Sequence, residues 1–203
     1  MLLVRHGNTP TTGKLLPGRS PGLHLSEKGR AQAERVAERI GELGRPPSAV
    51  YASPLERTRE TAAPIARRLG LRVRNFSGLL ECDIGSWSGK SLRQLARTKE
   101  WALVRGWPSG FRFPGGESFA ESSVRAYQAV LELADRHRGE SIVAVSHADP
   151  IKAIVASAAG VPLDLFQRLV ISPCSVTALG FGPLGPVVLS VNSTASLGEL
   201  VPS

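Results

Sequence analysis

The first ten residues of the chain read MLLVRHGNTP, and the apolar run at residues 2–4 leads directly into Arg5, His6 and Gly7. A short apolar run of this kind is typical of a fully buried strand. Arginine and histidine rarely belong inside a hydrophobic core, so they should follow the strand rather than extend it. The stretch therefore predicts a first strand that delivers positive charge and an imidazole to one edge of a sheet.

Apolar runs alternate with amphipathic segments along the rest of the chain, as strands alternate with helices in α/β proteins. Strands are expected at residues 2–4, 49–52, 71–76, 142–145, 176–181 and 187–191. Helices are expected at residues 26–43, 53–68, 117–138 and 150–159, with Ser53 and Pro54 as N-cap and first residue of the second helix. Most strands are continuous apolar runs, which favours a mostly parallel sheet covered on both faces. The predicted fold class is α/β, a three-layer α/β/α sandwich.

The whole chain, residues 1–203, is expected to form a single domain, because it contains no internal repeat, low-complexity tract or recognisable linker. One stretch is unusual: residues 87–113 hold all three tryptophans and two of the six phenylalanines, and glycine and proline interrupt them. This stretch predicts a lid-like insertion over the sheet at about residues 87–115. It either faces a substrate or only packs against the domain.

Composition excludes several classes of protein. Of the 203 residues, 42% are hydrophobic and 21% are charged, which argues against a disordered chain. No apolar run is long enough to cross a membrane, and no signal peptide is recognisable at the amino terminus. The two cysteines, Cys82 and Cys174, cannot form a disulfide framework, so a cytoplasmic location is expected.

The formal net charge of +8 favours an anionic partner. However, the basic residues are dispersed over separate helical segments and mixed with glutamates, so neither nucleic acid nor a membrane is expected as a partner. A small phosphorylated molecule fits this charge equally well. A homodimer is compatible with the sequence.

Charged and titratable side chains follow several strands of the predicted sheet. In open parallel sheets, ligands bind beyond the carboxyl ends of the strands, so these side chains should share one cleft. In chain order they are Arg5, His6, Arg57, Glu81, Asp83 and His147.

Two histidines, two arginines and a carboxylate around one cleft suit phosphoryl transfer. Arginine forks match phosphate oxygens, and the start of a helix adds aligned N–H groups. A neutral imidazole can attack phosphorus, because nearby arginine charge holds its pKa down. A carboxylic acid can protonate the departing alkoxide and later deprotonate the water that frees the enzyme. Neither a P-loop nor a Rossmann glycine fingerprint is present, so no nucleotide is implied.

Six stretches resemble, in family order, the histidine phosphatase superfamily, also called the phosphoglycerate mutase-like family. They are LLVRHGNT, LSEKGRAQA, YASPLERTRETA, LLECDIGSWSG, FPGGES and VAVSH. The resemblance covers residues 2 to about 167 and is closest to short bacterial phosphatases and phosphomutases. It implies a metal-independent phosphomonoester hydrolase, without a cofactor, that acts through a phosphohistidine on a small phosphorylated metabolite.

The resemblance also implies a role for five residues. His6 would be the nucleophile that becomes phosphohistidine, and Glu81 would be the general acid and base. Arg5, Arg57 and His147 would form the phosphate pocket.

Two further substrate-binding positions depart from the family pattern. Thr12 stands where the family often has a phosphate-contacting asparagine, and its hydroxyl can still donate one hydrogen bond. Ala148 follows His147 where glycine is usual. If that backbone needs φ > 0, the alanine would cost about 1 kcal/mol or more. Neither change removes a charge, so activity is expected to survive.

The residues themselves leave alternatives open for two of these roles. Asp83 competes with Glu81 for the role of acid. Arg57 could instead form only a helical ion pair with Glu56 or Glu60.

Other functions also compete. A metallohydrolase would use His6, Asp83, His147 and Asp149, which lack the usual spacing of metal ligands. A catalytically weak relative would bind phosphorylated ligands without turning them over. A phosphoglycerate mutase-type phosphomutase would need cations to hold a bisphosphate. The tail NSTASLGELVPS contains no Lys or Arg, so hydrolysis is expected in preference to transfer.

Overall fold

The structure is a computed structural model that describes residues 1–194. Its strands are β1 (Leu2–Arg5), β2 (Ala49–Ala52), β3 (Val73–Asn75), β4 (Ile142–Ser146), β5 (Val176–Gly182) and β6 (Gly185–Ser193). They form one sheet in the order β3-β2-β4-β1-β5-β6. The run from β3 to β1 is parallel, β5 pairs antiparallel with β1, and β6 pairs antiparallel with β5. The mostly parallel sheet is confirmed, and the tail from residue 195 onward lies outside the described residues.

Helices cover both faces of this sheet. They are α1 (Glu27–Gly41), α2 (Glu56–Leu69), α3 (Leu92–Leu95), α4 (Lys99–Gly106), α5 (Phe119–Arg136) and α6 (Ala148–Ala159). Apolar side chains of α1 and α2 pack against one face, and those of α5 and α6 pack against the other. The three-layer α/β/α sandwich is therefore confirmed. Within residues 1–194, no helix is both long and apolar enough to span a membrane.

Some element bounds differ from the prediction. Ser53 is not the N-cap of α2, because Leu55 takes that position and Glu56 is the first helical residue. Instead, the hydroxyl of Ser53 lies 2.9 Å from Nε2 of His147, so the serine is held at the end of β2. β3 is shorter than the expected strand and lies at the edge of the sheet, where it pairs with β2 only. α6 begins at Ala148, directly after β4.

The segment between β3 and α5 contains the predicted insertion, with α3, α4 and several single turns of 3₁₀ helix. Its aromatic rings form an apolar cluster of their own with centroid separations of 5.4 Å for Trp87–Phe113 and 5.1 Å for Phe113–Phe119. Phe119 in turn lies 5.2 Å from Phe166, which belongs to the turn after α6. These edge-to-face contacts fix the insertion to the body of the fold, where it forms one wall of a cavity.

Candidate active site

The carboxyl ends of β1, β2 and β4 meet at one edge of the sheet. β1 and β4 are direct neighbours, so His6 and His147 follow adjacent strand ends, with ring centroids 5.2 Å apart. β2 lies on the other side of β4 and leads through Ser53 to α2, which carries Arg57. The two strands that lead into the histidines are therefore direct neighbours in the sheet.

His6 is buried, and its hydrogen bonding defines the state of its ring. Nδ1 lies 2.8 Å from the carbonyl oxygen of Gly7, which can only accept, so the neutral ring carries its proton on Nδ1. Burial, followed by the charges of Arg5 and Arg57, lowers the pKa of His6 well below its usual value. Nε2 therefore keeps its lone pair, and an imidazole in this state can attack phosphorus.

The glycine after His6 is required by close packing. A Cβ at Gly7 would lie 2.6 Å from the carbonyl oxygen of Gly29, near the start of α1. The N–H of Gly7 donates to Oγ1 of Thr61 on α2 at 3.0 Å. Two helices thus hold the backbone that carries His6, and only glycine fits between them.

Arg57 is a completely buried cation with free donors. Its Nη2 donates to the carbonyl oxygen of Gly18 at 2.7 Å, whereas Nε and Nη1 have no hydrogen-bond partner within residues 1–194. Glu60, considered above as a helical ion-pair partner, binds His24 and the N–H of Leu25 instead. Two of the guanidinium nitrogens are therefore buried donors for which residues 1–194 supply no acceptor.

Arg5 adds a second cation beside His6. Its Nη1 donates to the carbonyl oxygen of Ile171 at 2.6 Å, and its Nε has no partner in the described part of the chain. A buried donor without an acceptor costs free energy unless a ligand accepts from it. The unpaired donors of Arg5 and Arg57 therefore indicate an anion site.

His147 completes this group and is fully buried. Its Nε2 lies 2.9 Å from Oγ of Ser53, and Nδ1 has no hydrogen-bond partner among residues 1–194. Burial, and after it the charge of Arg57, lowers the pKa of His147 well below its usual value. When the serine hydroxyl donates to Nε2, the neutral ring carries its proton on Nδ1 and can donate it to an anion. Ser53 therefore contacts His147 instead of capping α2, and no local sequence pattern indicates this role.

Glu81 lies beside the histidines, with Oε2 3.9 Å from Nδ1 of His147. Its Oε1 accepts the backbone N–H of Cys82 at 3.0 Å. Burial, followed by the negative charge of Asp149, raises the pKa of Glu81 to about 7. The carboxyl group can therefore give and take a proton near neutral pH. Asp149, named above only as a candidate metal ligand, influences the site through its charge on Glu81.

A charged network, here called the Glu117 clamp, holds the backbone at Glu81 and consists of Arg19, Glu117 and Arg125. Arg19 Nε and Arg125 Nη2 donate to the carbonyl oxygen of Glu81 at 2.8 and 3.3 Å. The carboxylate of Glu117 binds Arg125 at 3.0 Å and Arg19 at 2.9 Å. It also accepts the N–H of Asp83 at 3.0 Å. The clamp therefore fixes the backbone position from which the Glu81 side chain extends.

Asp83 lies outside this arrangement. One of its carboxylate oxygens accepts the N–H of Gly85, and the other is 3.7 Å from Arg19. Its side chain is 43% exposed and does not line the cavity, whereas Glu81 does. The geometry favours Glu81 over Asp83 as the proton donor.

The two departures from the family pattern leave the site intact. Oγ1 of Thr12 accepts the N–H of Thr9 at 2.9 Å and lies 3.0 Å from Oγ1 of Thr9, so the two hydroxyls also share a hydrogen bond. Ala148 is the first residue of α6. Within residues 1–194, Cys174 and Asn192 are the non-glycine residues with positive φ, so Ala148 carries no such backbone strain.

A cavity of about 580 Å³ opens over this group. Arg5, His6, Thr12, Glu81 and Ala148 line it, whereas Arg57 and His147 are buried and do not line it. The other walls come largely from the insertion and from the loop after β1. Among residues 1–194, no three His, Cys, Asp or Glu side chains are grouped so that they could hold a metal ion.

Known proteins share this sequence pattern. Residues 1–194 match the family model of the histidine phosphatase superfamily (branch 1). Phosphoserine phosphatase 1 of Hydrogenobacter thermophilus is 33% identical over an alignment of 206 residues, which covers 98% of this chain and 94% of the relative. The probable phosphoglycerate mutase GpmB of Salmonella paratyphi C is 33% identical over 183 residues, which covers 88% and 83%.

Solved structures share the fold. A mycobacterial glucosyl-3-phosphoglycerate phosphatase superimposes with a TM-score of 0.83 at 26% identity, covering 95% of this chain and 98% of that one. An Entamoeba histolytica phosphoserine phosphatase mutant in complex with phosphoserine gives a TM-score of 0.86 at 28% identity, covering 97% and 98%. On the family match along residues 1–194 and the similarity to these relatives, the chain belongs to the histidine phosphatase superfamily.

Proposed function

We propose that this protein hydrolyses phosphomonoesters of a small metabolite through a phosphohistidine at His6. The observation that carries the proposal is the buried guanidinium of Arg57, which has two nitrogens without a hydrogen-bond partner in residues 1–194. It belongs to the same cluster as His6 and His147, whose lowered pKa values keep both rings neutral. Glu81, with a pKa raised to about 7, supplies the proton transfer. The phosphatase names of several relatives support the same reaction class.

In the first step, the phosphoryl oxygens accept hydrogen bonds from Arg5, Arg57 and His147. These donors balance the negative charge of the phosphate. Nε2 of His6 then attacks phosphorus, and the bond from phosphorus to the alkoxide oxygen breaks as the P–N bond forms. Protonated Glu81 gives its proton to the departing oxygen. The products are a free alcohol and phosphohistidine.

In the second step, Glu81 acts as a base. Its carboxylate takes a proton from water while the water oxygen attacks phosphorus, and the electron pair of the P–N bond returns to Nε2 of His6. Inorganic phosphate leaves, and Glu81 is protonated again. A pKa near the working pH suits one carboxyl group to both roles.

The charges of the cavity favour hydrolysis over a mutase reaction. A phosphoglycerate mutase must bind a carboxylate and a second phosphoryl group besides the one that is transferred. Away from the phosphate end, the cations of residues 1–194 that line the cavity are Arg105 and Lys152. Lys152 is already engaged, at 3.5 Å from Asp149 and 2.8 Å from Gln167. The mutase stays a second candidate function because GpmB is among the relatives.

Rapid quench with a ³²P-labelled phosphomonoester tests the proposal. Wild-type protein should form an acid-labile, base-stable phosphoenzyme that is absent in His6→Ala. His24→Ala is the matched control, since His24 is an exposed histidine that pairs with Glu60, and it should keep the label. Label retained in His6→Ala would refute the assignment.

A chelator separates the remaining alternatives. Turnover of p-nitrophenyl phosphate should be unchanged after treatment with a chelator, because each proposed step uses side chains of this chain. Loss of turnover that added metal restores would favour a metallohydrolase. Binding of inorganic phosphate without any turnover would favour a catalytically weak relative.

A further inference from the structure

One side of the cavity is apolar, and we call it the apolar chamber. It is formed by Leu16, Leu92, Trp101, Val104, Phe113 and Phe119. Apolar walls that remain open in a folded protein are typical of a site for an apolar group of a ligand. The phosphate end needs only the region around His6, so the chamber is available to the organic part of the substrate.

Trp101 is the most specific element of this chamber. Its ring stacks on the buried ring of Trp87, with centroids 6.2 Å apart and an angle of 25° between the planes. Because Trp87 supports it, Trp101 offers a fixed aromatic surface rather than a mobile side chain. Val104 and Arg105 lie three and four residues further along α4, so one face of this helix lines the cavity.

The charges near the chamber do not favour a second anion there. Lys152 lies 3.5 Å from Asp149, so this pair adds no net charge. Arg105 is exposed to solvent, where its charge is screened. A short zwitterionic group, such as the serine part of phosphoserine, would therefore leave the apolar chamber in contact with water. The chamber would also offer the charges of that group no paired charge.

We propose that the preferred substrate is a phosphomonoester whose organic part is bulky and apolar, such as an aromatic ring, and that this part packs on Trp101 in the apolar chamber. The inference rests on the proposed phosphatase function and adds the substrate class. It also distinguishes two tryptophans of the insertion. Trp107 is 57% exposed and packs on Gly110, outside the cavity, whereas Trp101 lines it.

The test compares two alkyl phosphates with similar leaving groups, 2-phenylethyl phosphate and ethyl phosphate, and uses phosphoserine as a third substrate. In the wild type, kcat/KM for 2-phenylethyl phosphate should exceed that for ethyl phosphate by about 10- to 100-fold, the effect expected for burying one phenyl group. Trp101→Ala should reduce this ratio about 10-fold. Trp101→Phe should keep most of it, and Trp107→Ala, the matched control, should keep all of it.

Two readouts separate a local effect from loss of the fold. Inhibition by inorganic phosphate reports the phosphate end and should be unchanged in Trp101→Ala. If that variant does not fold, Leu92→Ser, which changes another wall residue of the apolar chamber on α3, should reduce the same ratio.

The outcomes are distinguishable. A ratio near one, or a preference for phosphoserine, would overturn the inference while leaving the phosphatase function standing. A ratio that Trp101→Ala and Leu92→Ser leave unchanged would also overturn it. Absence of phosphate release from these three substrates and from p-nitrophenyl phosphate would refute the proposed function, and the inference with it.

Discussion

Replacing Glu81 by glutamine should slow the hydrolysis of alkyl phosphates by roughly 10²- to 10⁴-fold, the usual contribution of a general acid. Glutamine has a similar size and can still accept the N–H of Cys82, but it cannot release a proton. An alkoxide is a strong base and must be protonated as it leaves. The p-nitrophenolate ion leaves readily without a proton, so p-nitrophenyl phosphate should lose far less.

The raised pKa of Glu81 predicts a pH profile for the same step. Burial, followed by the charge of Asp149, raises this pKa to about 7, and the acid form is the one needed for phosphorylation of His6. The value of kcat/KM should therefore fall as pH rises through 7. The protonated fraction is about one half at pH 7 and about 1% at pH 9, so wild-type activity on an alkyl ester should fall roughly 50-fold. His6 is neutral throughout this interval.

The assay measures kcat/KM for 2-phenylethyl phosphate and p-nitrophenyl phosphate between pH 6.5 and 9.5. The value of kcat/KM reports the steps up to phosphorylation of His6. The later role of Glu81 as a base therefore does not affect it. Asp83→Asn is the control, because Asp83 lies outside the cavity, and it should keep both the rate and the profile.

Three results would refute this reasoning. Equal losses for both esters in Glu81→Gln would point to a structural role. A wild-type alkyl-ester profile that stays flat between pH 7 and 9 would show that no acid titrates there. A selective loss in Asp83→Asn would transfer the role to Asp83.

Four further predictions concern the surroundings of the site. Asp149→Asn removes a charge that raises the pKa of Glu81, so the alkaline fall of kcat/KM should move to lower pH with the same alkyl ester. Glu117→Gln loosens the clamp, so kcat/KM should drop about 10-fold for the alkyl ester, hardly for p-nitrophenyl phosphate, and little more when combined with Glu81→Gln. Ser53→Ala removes the hydroxyl that orients His147, so the inhibition constant of inorganic phosphate should rise about 5-fold. With 3-phosphoglycerate and added 2,3-bisphosphoglycerate, a coupled assay should show release of phosphate without formation of 2-phosphoglycerate.

Each of these has a contrary result. An unmoved profile in Asp149→Asn, or equal losses for both esters in Glu117→Gln, would separate these residues from Glu81. Unchanged phosphate inhibition in Ser53→Ala would make its contact with His147 merely structural. Isomerisation faster than phosphate release would make the protein a mutase.

Local sequence pattern was sufficient to predict the sheet and the strand ends that the candidate residues Arg5, His6 and His147 occupy. The strands before His6 and His147 are short, continuous apolar runs, and a side chain that directly follows such a run must lie at the end of a strand. In a parallel sheet these ends share one edge, so Arg5, His6 and His147 could be assigned to the same edge of the sheet before any contact was known. This information is local, and the sequence by itself therefore determined it.

Tertiary structure decided which groups in that cleft are free, buried or charged. Ser53 and His147 are 94 residues apart in the chain, and no pattern within either segment shows that their side chains meet. The choice of Glu81 over Asp83 depends on which carboxyl group is desolvated and lies near Asp149. Trp101 differs from Trp107 because Trp101 lines the cavity, whereas Trp107 is largely exposed outside it. Burial and the distances between charged groups determine the pKa values of the site and the surfaces open to a ligand. Burial and these distances are defined only after distant segments of the chain have packed together.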